Sequence, residues 1–208
     1  NSDVFVIPVT GGIPTRITYN SFYDRLVDWH PSDKKLLFAS AREHGVGRLN
    51  QFFMVGKNGG LPEKLNIPYG ELASFSPDGK QLAYITKITE NYPFKRYRGG
   101  LTSDIILYDF NTEKTKRITN NELNDGKPAW AGNKIYFLSD RERTMNLYSY
   151  NTTTQETKKE TNFTEFDIKF PSMGNDRIVF ENGKDYGSET VWNAGVEYIL
   201  SKNFSLNY

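Results

Sequence analysis

The sequence contains no cysteine, which excludes disulfides, thiolate catalysis and zinc–thiolate sites together. It has only two histidines, His30 and His44, and neither has a neighbouring cysteine or the regular spacing of a zinc site. No run approaches the roughly 18 apolar residues that a membrane-spanning helix needs. We therefore expect no metal, no other cofactor and no stable membrane span.

An excess of either charge is also missing, since 26 Lys and Arg balance 25 Asp and Glu for a formal net charge of +1. Such a balance gives no general attraction to nucleic acid or anionic lipid, so binding has to depend on local sites. The 37% of hydrophobic residues, however, supply enough apolar material for a packed core. The composition indicates a folded protein that does not bind nucleic acid.

The chain lacks an initiator methionine, and Asn1-Ser2-Asp3 shows none of the basic and apolar regions of a signal peptide. We therefore expect it to begin inside a longer product. Its 208 residues suit one all-β domain or two smaller domains.

An internal repeat is the main feature that the sequence does contain. An apolar stretch ending in an aromatic residue, a turn and a second apolar strand recur about every 40 to 55 residues, a spacing in or near that of propeller blades. The copies lie at 26–38, 73–84, 128–137 and 168–180. A second motif, a short apolar strand with a polar turn and another strand, alternates with the first, and its copies begin at Asp3, Asn50, Asp104 and Asn146. The two motifs together predict four strands per unit.

The repeat predicts an all-β fold, a β-propeller of four-stranded antiparallel blades. Its strands are bounded by turns such as Pro77-Asp78-Gly79, where proline presets φ and glycine tolerates positive φ. We expect an outer hairpin at 1–18, blades at about 24–65, 70–119 and 124–161, and an inner hairpin at 166–183. If the two hairpins pair, a small four-bladed ring closes; otherwise the chain is a fragment of a larger propeller with exposed edges.

Four aromatic residues hold the same place in the first motif: Trp29, Phe75, Trp130 and Phe170. We expect them to be structural core residues wedged between blades, the alternative being that they stack on a ligand. After residue 183 the repeat ends, and 184–208 predict a divergent pair of C-terminal strands, which either closes the repeat or is unrelated to it.

The repeats resemble those shared by TolB and the tricorn protease propeller. Residues 29–33 and 75–84 carry this likeness, and 133–141 with 145–150 are closer to bacterial tricorn-like proteases than to TolB. In that family the propeller precedes a PDZ domain and a serine protease domain, and it is thought to guide peptides toward the active site. The resemblance implies a noncatalytic propeller module of a secreted or periplasmic peptidase, with peptide or protein partners. A TolB-like protein-interaction propeller and a propeller enzyme with an axial site are the alternatives.

No nucleophile pattern such as Gly-x-Ser-x-Gly is present, so we name no catalytic residue and expect no hydrolysis by this chain alone. A Ser-His-Asp triad stays open, because its members need not be close in sequence. The candidate ligand-binding residues are Lys95, Arg96, Tyr97 and Arg98, whose cations and aromatic ring suit a peptide carboxylate. The alternative for this stretch is an insertion loop between two strands of one blade.

Overall fold

The computed structural model describes residues 2–44, 49–87, 96–174 and 177–183, together with the backbone of 196–199. All regular elements in these ranges are β-strands, and the described residues contain no helix that could cross a membrane. The strands are β1 Phe5–Val6, β2 Thr15–Arg16, β3 Asp24–Trp29, β4 Lys35–Ser40, β5 Gln51–Gly56, β6 Glu63–Lys64, β7 Leu72–Phe75, β8 Gln81–Ile85, β9 Ile106–Asp109, β10 Lys114–Arg117, β11 Asp125–Ala131, β12 Lys134–Glu142, β13 Thr144–Asn151, β14 Thr157–Lys159, β15 Ile168–Gly174, β16 Arg177–Asn182 and β17 Val196–Ile199.

The strands form one hairpin and four antiparallel sheets in chain order. β1 pairs with β2, and the first, second and third sheets are the four-stranded units β3–β6, β7–β10 and β11–β14. The fourth sheet contains β15, β16 and β17. The prediction of an all-β fold with four-stranded antiparallel blades is therefore confirmed.

The core lies between consecutive sheets, because successive residues of a strand point to opposite faces. In β5, Phe52 packs toward the second sheet, whereas Phe53 packs with Val4 and Ile17 of the N-terminal hairpin. Similar clusters join the second sheet to the third and the third to the fourth. Each of the first three sheets is therefore covered on both faces, and the fourth is covered by the third.

The first strands of the four sheets, β3, β7, β11 and β15, lie next to one another and are called the inner strands. The backbone N–H of Phe75 donates to Asp28 Oδ2 at 3.0 Å. In the same way, the N–H of Trp130 donates to Ser74 Oγ at 3.0 Å. A polar side chain of one inner strand thus binds the backbone of the next, which ties the blades together along this side.

The strand register corrects the position assigned to Phe170. Cα partners in the four sheets are Trp29 with Leu36, Phe75 with Leu82, Trp130 with Ile135 and Met173 with Ile178. Met173, not Phe170, therefore corresponds to the other three aromatic residues. Phe170 instead lies at a bulge of β15 before a proline, with φ of 48°, as Lys127 does in β11 with φ of 50°.

The predicted burial of the four aromatic residues is also only partly right. Phe75 is buried, with 4% of its surface exposed, and Trp130 is partly buried. Trp29 and Phe170 are 39% and 63% exposed, so the prediction that they are core residues is wrong. Leu36, the cross-strand partner of Trp29, is fully buried and supplies the core at this position, while Phe170 lies at the bulge of β15.

In three units a threonine side chain joins the two strands of the second motif. The hydroxyls of Thr18, Thr119 and Thr161 accept the backbone N–H groups of Val4, Ile105 and Leu147 at 3.0, 2.9 and 2.9 Å. All three threonines are buried, so each hydroxyl satisfies a donor that water cannot reach. We call this contact the threonine clasp.

The two ends of the described chain differ. Within the described ranges, β1 and β2 form backbone pairs only with each other, while β16 pairs with β15 and β17. Of the predicted C-terminal strand pair at 184–208, the structure describes only the backbone of Val196–Ile199, and the rest lies outside the described residues. The described strands thus form a propeller fragment.

Candidate functional site

A cavity of about 640 Å³ opens where the inner strands end. Its walls include Asp28 and Trp29 of β3, Phe75 of β7, Trp130 of β11 and Met173 of β15. We call it the axial cavity. Because the lining positions are equivalent in the four sheets, the repeat itself builds this site.

The turns after the inner strands shape the rim of the axial cavity. Ser76 Oγ donates to Asp78 Oδ1 at 2.7 Å, and Gly79 has φ of +70°. A Cβ at Gly79 would lie 2.6 Å from Nε2 of His30, so both conformation and space require glycine there. The His30 ring also meets Phe75 edge to face at 5.0 Å, which fixes the first turn against the second.

Asp28 is the ionisable residue in this lining, within the part of the chain that the structure describes. Its Oδ1 accepts the N–H of Trp29 at 2.8 Å, and its Oδ2 accepts the N–H of Phe75 at 3.0 Å. Burial raises the pKa of Asp28, while these two hydrogen bonds act in the lowering direction. Each carboxylate oxygen still has a second lone pair with which to accept a donor from a ligand.

The indole rings give the axial cavity an aromatic wall. Trp130 Nε1 donates to the carbonyl oxygen of Gly132 at 3.1 Å, which fixes the orientation of that ring. Trp29 keeps part of its surface accessible. Rings of this kind offer a ligand a large contact area at a low cost in conformational entropy. The site can therefore hold apolar groups and one polar or charged group beside Asp28.

The predicted basic and aromatic stretch occupies a different place. Lys95 lies outside the described residues. Arg96 Nε donates to the carbonyl oxygen of Arg143 at 2.7 Å, and the carbonyl oxygen of Tyr97 accepts Asn124 Nδ2 at 3.0 Å. These contacts attach the segment that follows residue 95 to the third sheet.

Arg98 is already engaged by a carboxylate of the protein. Its Nη1 lies 2.7 Å from Oδ2 of Asp140, a side chain that is almost fully buried. A pocket of about 550 Å³ adjoins Arg98, and there Arg117 pairs with Asp104 at 2.8 Å. Two of the arginines near this pocket therefore have acidic partners, and the binding of a peptide carboxylate by this stretch stays a prediction.

Buried ion pairs at the start of the inner strands were not predicted. Arg42 lies 2.5 Å from the fully buried Asp24, and Arg141 lies 3.2 Å from the fully buried Asp125. The signal is the repeated pattern Phe-x-Ser-x-Arg at 38–42 and 137–141, which follows each aspartate. In both copies the arginine also donates to the serine hydroxyl.

Fold and cavity define a β-propeller module whose inner strands line an aromatic site. Residues 1–187 match the family model of the Tricorn protease N-terminal beta propeller domain, and the chain belongs to this family. The recognition of a tricorn-like and TolB-like propeller is thereby confirmed.

Individual relatives support this assignment. The chain is 26% identical over 185 residues to a Tricorn protease homolog of Saccharolobus solfataricus, covering 88% of this chain and 17% of that protein. The crystal structure of the tricorn protease matches with a TM-score of 0.74 at 21% identity, covering 94% of this chain and 18% of that one. TolB from Acinetobacter baumannii matches with a TM-score of 0.69 at 17% identity, covering 93% and 45%. The chain thus spans less than a fifth of its tricorn relatives, and the two structural matches show the fold alone.

Proposed function

We propose that this chain is the noncatalytic propeller module of a tricorn-like peptidase and that it binds or guides peptides at the axial cavity. Membership of the Tricorn N-terminal propeller family supports the first part. The observation that carries the second is the convergence of Trp29, Phe75 and Trp130 on one cavity. Its volume of about 640 Å³ lies within the range of small-molecule and peptide side-chain pockets.

Binding follows from the chemistry of the walls. Apolar side chains of an extended peptide gain from leaving water for the aromatic surface, at roughly 25 cal/mol per Å² of apolar area buried. The inner strands hold the walls rigidly because they are tied to each other and to the core, so little ordering free energy is lost on binding. A site held by the rigid inner strands of a propeller suits a guiding role.

Intrinsic tryptophan fluorescence provides the test. Amidated hexapeptides of mixed composition are titrated into the chain, and dissociation constants are confirmed by calorimetry. Trp29→Ala should weaken binding about tenfold or more, because it removes an accessible wall of the axial cavity. Tyr23→Ala is the matched control, since Tyr23 is an exposed aromatic residue outside the cavity lining. Equal weakening by both substitutions, or none by Trp29→Ala, contradicts the assignment of the site.

The proposal that this chain is noncatalytic is tested by peptide hydrolysis with the isolated chain and with its full-length parent protein. We expect turnover by the parent alone and a lower rate in the parent that carries Trp29→Ala. Hydrolysis by the isolated chain at a rate comparable with the parent supports the propeller-enzyme alternative. Unchanged turnover by the Trp29→Ala parent contradicts a guiding role.

We also propose that the parent protein is secreted or periplasmic, as its likeness to bacterial tricorn-type peptidases implies. Fractionation of the native cells, with detection by an antibody against this chain, tests the localisation. Recovery with cytosolic markers contradicts it.

A further inference from the structure

The charge of the axial cavity has one sign. Asp28 contributes a carboxylate to the lining, and among the described residues that form the walls there is neither lysine nor arginine. Lys127 of β11 directly precedes the lining residue Pro128, but its ammonium group lies 4.6 Å from the ring centroid of Phe170 and is not part of the lining. The walls therefore present one carboxyl group and aromatic faces together.

Two features of the site favour the same kind of ligand group. A carboxylate that is partly removed from water attracts a cation more strongly than one in bulk solvent. The face of an indole ring also attracts cations, and tryptophan does so more strongly than the other aromatic residues. Asp28 and Trp29 both line the axial cavity, so a ligand that fills the cavity contacts both residues.

We propose that the axial cavity selects peptides that present a cationic group, either a lysine or arginine side chain or a free N-terminal ammonium. This inference rests on the proposed function, because it names the class of peptide that the same cavity takes. An ammonium or guanidinium group donates to the free lone pairs of Asp28, while its alkyl stem packs on the indole rings.

Peptides that differ only in charge test the selection. An acetylated, amidated hexapeptide with one central lysine is compared by calorimetry with the same peptide carrying norleucine. We expect the lysine peptide to bind at least about tenfold more tightly, and a norleucine peptide with a free N-terminus measures the contribution of the terminal ammonium. Equal affinity of all three overturns the inference and leaves peptide binding intact, whereas binding by none overturns both.

Substitution of Asp28 locates the effect. Asp28→Asn keeps one carbonyl acceptor for the backbone but removes the charge, so the preference for lysine over norleucine should fall to within about twofold. Asp33→Asn is the matched control, because Asp33 is exposed in the adjacent turn and does not line the cavity. A preference that persists in Asp28→Asn, or that both variants lose equally, contradicts a role for Asp28.

A second variant keeps the test decisive if Asp28→Asn does not fold. Trp29→Leu removes the aromatic face without removing either hydrogen bond to Asp28, because the side chain of Trp29 takes no part in them. In Trp29→Leu the preference for lysine over norleucine should fall about threefold or more. In the unsubstituted chain, raising sodium chloride from 50 to 500 mM should also reduce this preference. A preference unaffected by both changes overturns the inference.

Discussion

Single buried charges make large contributions at the residue scale. Arg42 neutralises Asp24, and its guanidinium also lies 4.8 Å from the ring centroid of Phe38. Arg42→Met should lower the free energy of unfolding by about 3 to 5 kcal/mol, because it leaves a carboxylate buried without its partner. Urea denaturation measures the change.

An exposed ion pair provides the control for this prediction. Lys35 and Glu63 lie 2.7 Å apart with both side chains in contact with solvent. Lys35→Met should change the free energy of unfolding by less than about 1 kcal/mol, as is usual for surface pairs. Equal effects of the two substitutions would show that burial of Asp24 is not the cause.

The aromatic residues at equivalent positions should differ in their contribution to stability. Phe75→Ala should cost about 3 to 5 kcal/mol, since Phe75 is buried between blades, where truncation leaves a cavity. Trp29→Ala should cost less than half of that, because the indole is already partly in water. Denaturation midpoints in guanidinium chloride decide the order, and a larger loss for Trp29→Ala contradicts the observed burial.

The sequence was sufficient to locate these positions but not their environment. Recurrence identified Trp29, Phe75 and Trp130, yet spacing does not show how far each side chain at the inner edge of a sheet reaches toward solvent. Phe170 was assigned to the wrong position because the copies of the motif were aligned by their aromatic residues. The prolines at 128 and 171 give the correct alignment of β11 with β15. An axial site was named as an alternative, but its lining could not be predicted, because its walls come from four separate repeats.

At the scale of the element, the threonine clasp joins the two strands of three outer hairpins. Thr119 Oγ1 accepts the N–H of Ile105 and donates to Asp104 Oδ1 at 3.2 Å. Thr119→Val keeps the shape but leaves that buried N–H without an acceptor, so it should cost about 1 to 3 kcal/mol. Thr119→Ser, which retains the hydroxyl, should recover most of the loss. Thermal unfolding followed by circular dichroism compares the two variants, and equal melting temperatures contradict the role of the hydroxyl.

Strand order was predictable from the sequence because two motifs alternate with different turn residues. The clasp was not predicted, although Arg-Ile-Thr occurs at both 16–18 and 117–119. Its third copy reads Lys159-Glu160-Thr161, so only the threonine is shared and the pattern is too short to stand out. Hydrogen bonds that join residues about 14 positions apart become visible only when the hairpin is folded.

At the scale of the whole molecule, the two ends of the blade series carry different chemistry. Phe5 and Ile7 of the N-terminal hairpin are about half exposed, whereas Phe53 and Val55, at the matching positions of the first sheet, are buried. In the fourth sheet the exposed Glu181 holds a position that Ala39, Ile85 and Leu138 occupy as buried residues in the other sheets. An apolar face therefore lies at the hairpin end and a charged residue at the other.

The apolar end predicts self-association of the isolated chain. Exposed contiguous apolar surface promotes contacts between molecules, so Phe5→Lys combined with Ile7→Thr should lower the sedimentation-average mass at high protein concentration. Leu61→Lys is the control, because Leu61 is exposed in a turn between β5 and β6. The prediction is contradicted if the unsubstituted chain stays monomeric at all concentrations. It is also contradicted if Leu61→Lys lowers the average mass as much as the double variant does.

The hydrogen bonds between inner strands make two amide protons reporters of blade separation. Ser76 N–H donates to the opposite strand, so the N–H of Phe75 points away from its own sheet, toward Asp28. Trp130 N–H likewise depends on Ser74 of the preceding sheet. If the blades separate before the strands within each sheet unfold, these two amides exchange with deuterium at a lower urea concentration than the amides of Leu36 and Leu82. Simultaneous exchange of all four would mean that the blades unfold as one cooperative unit, and residue-resolved exchange distinguishes the two cases.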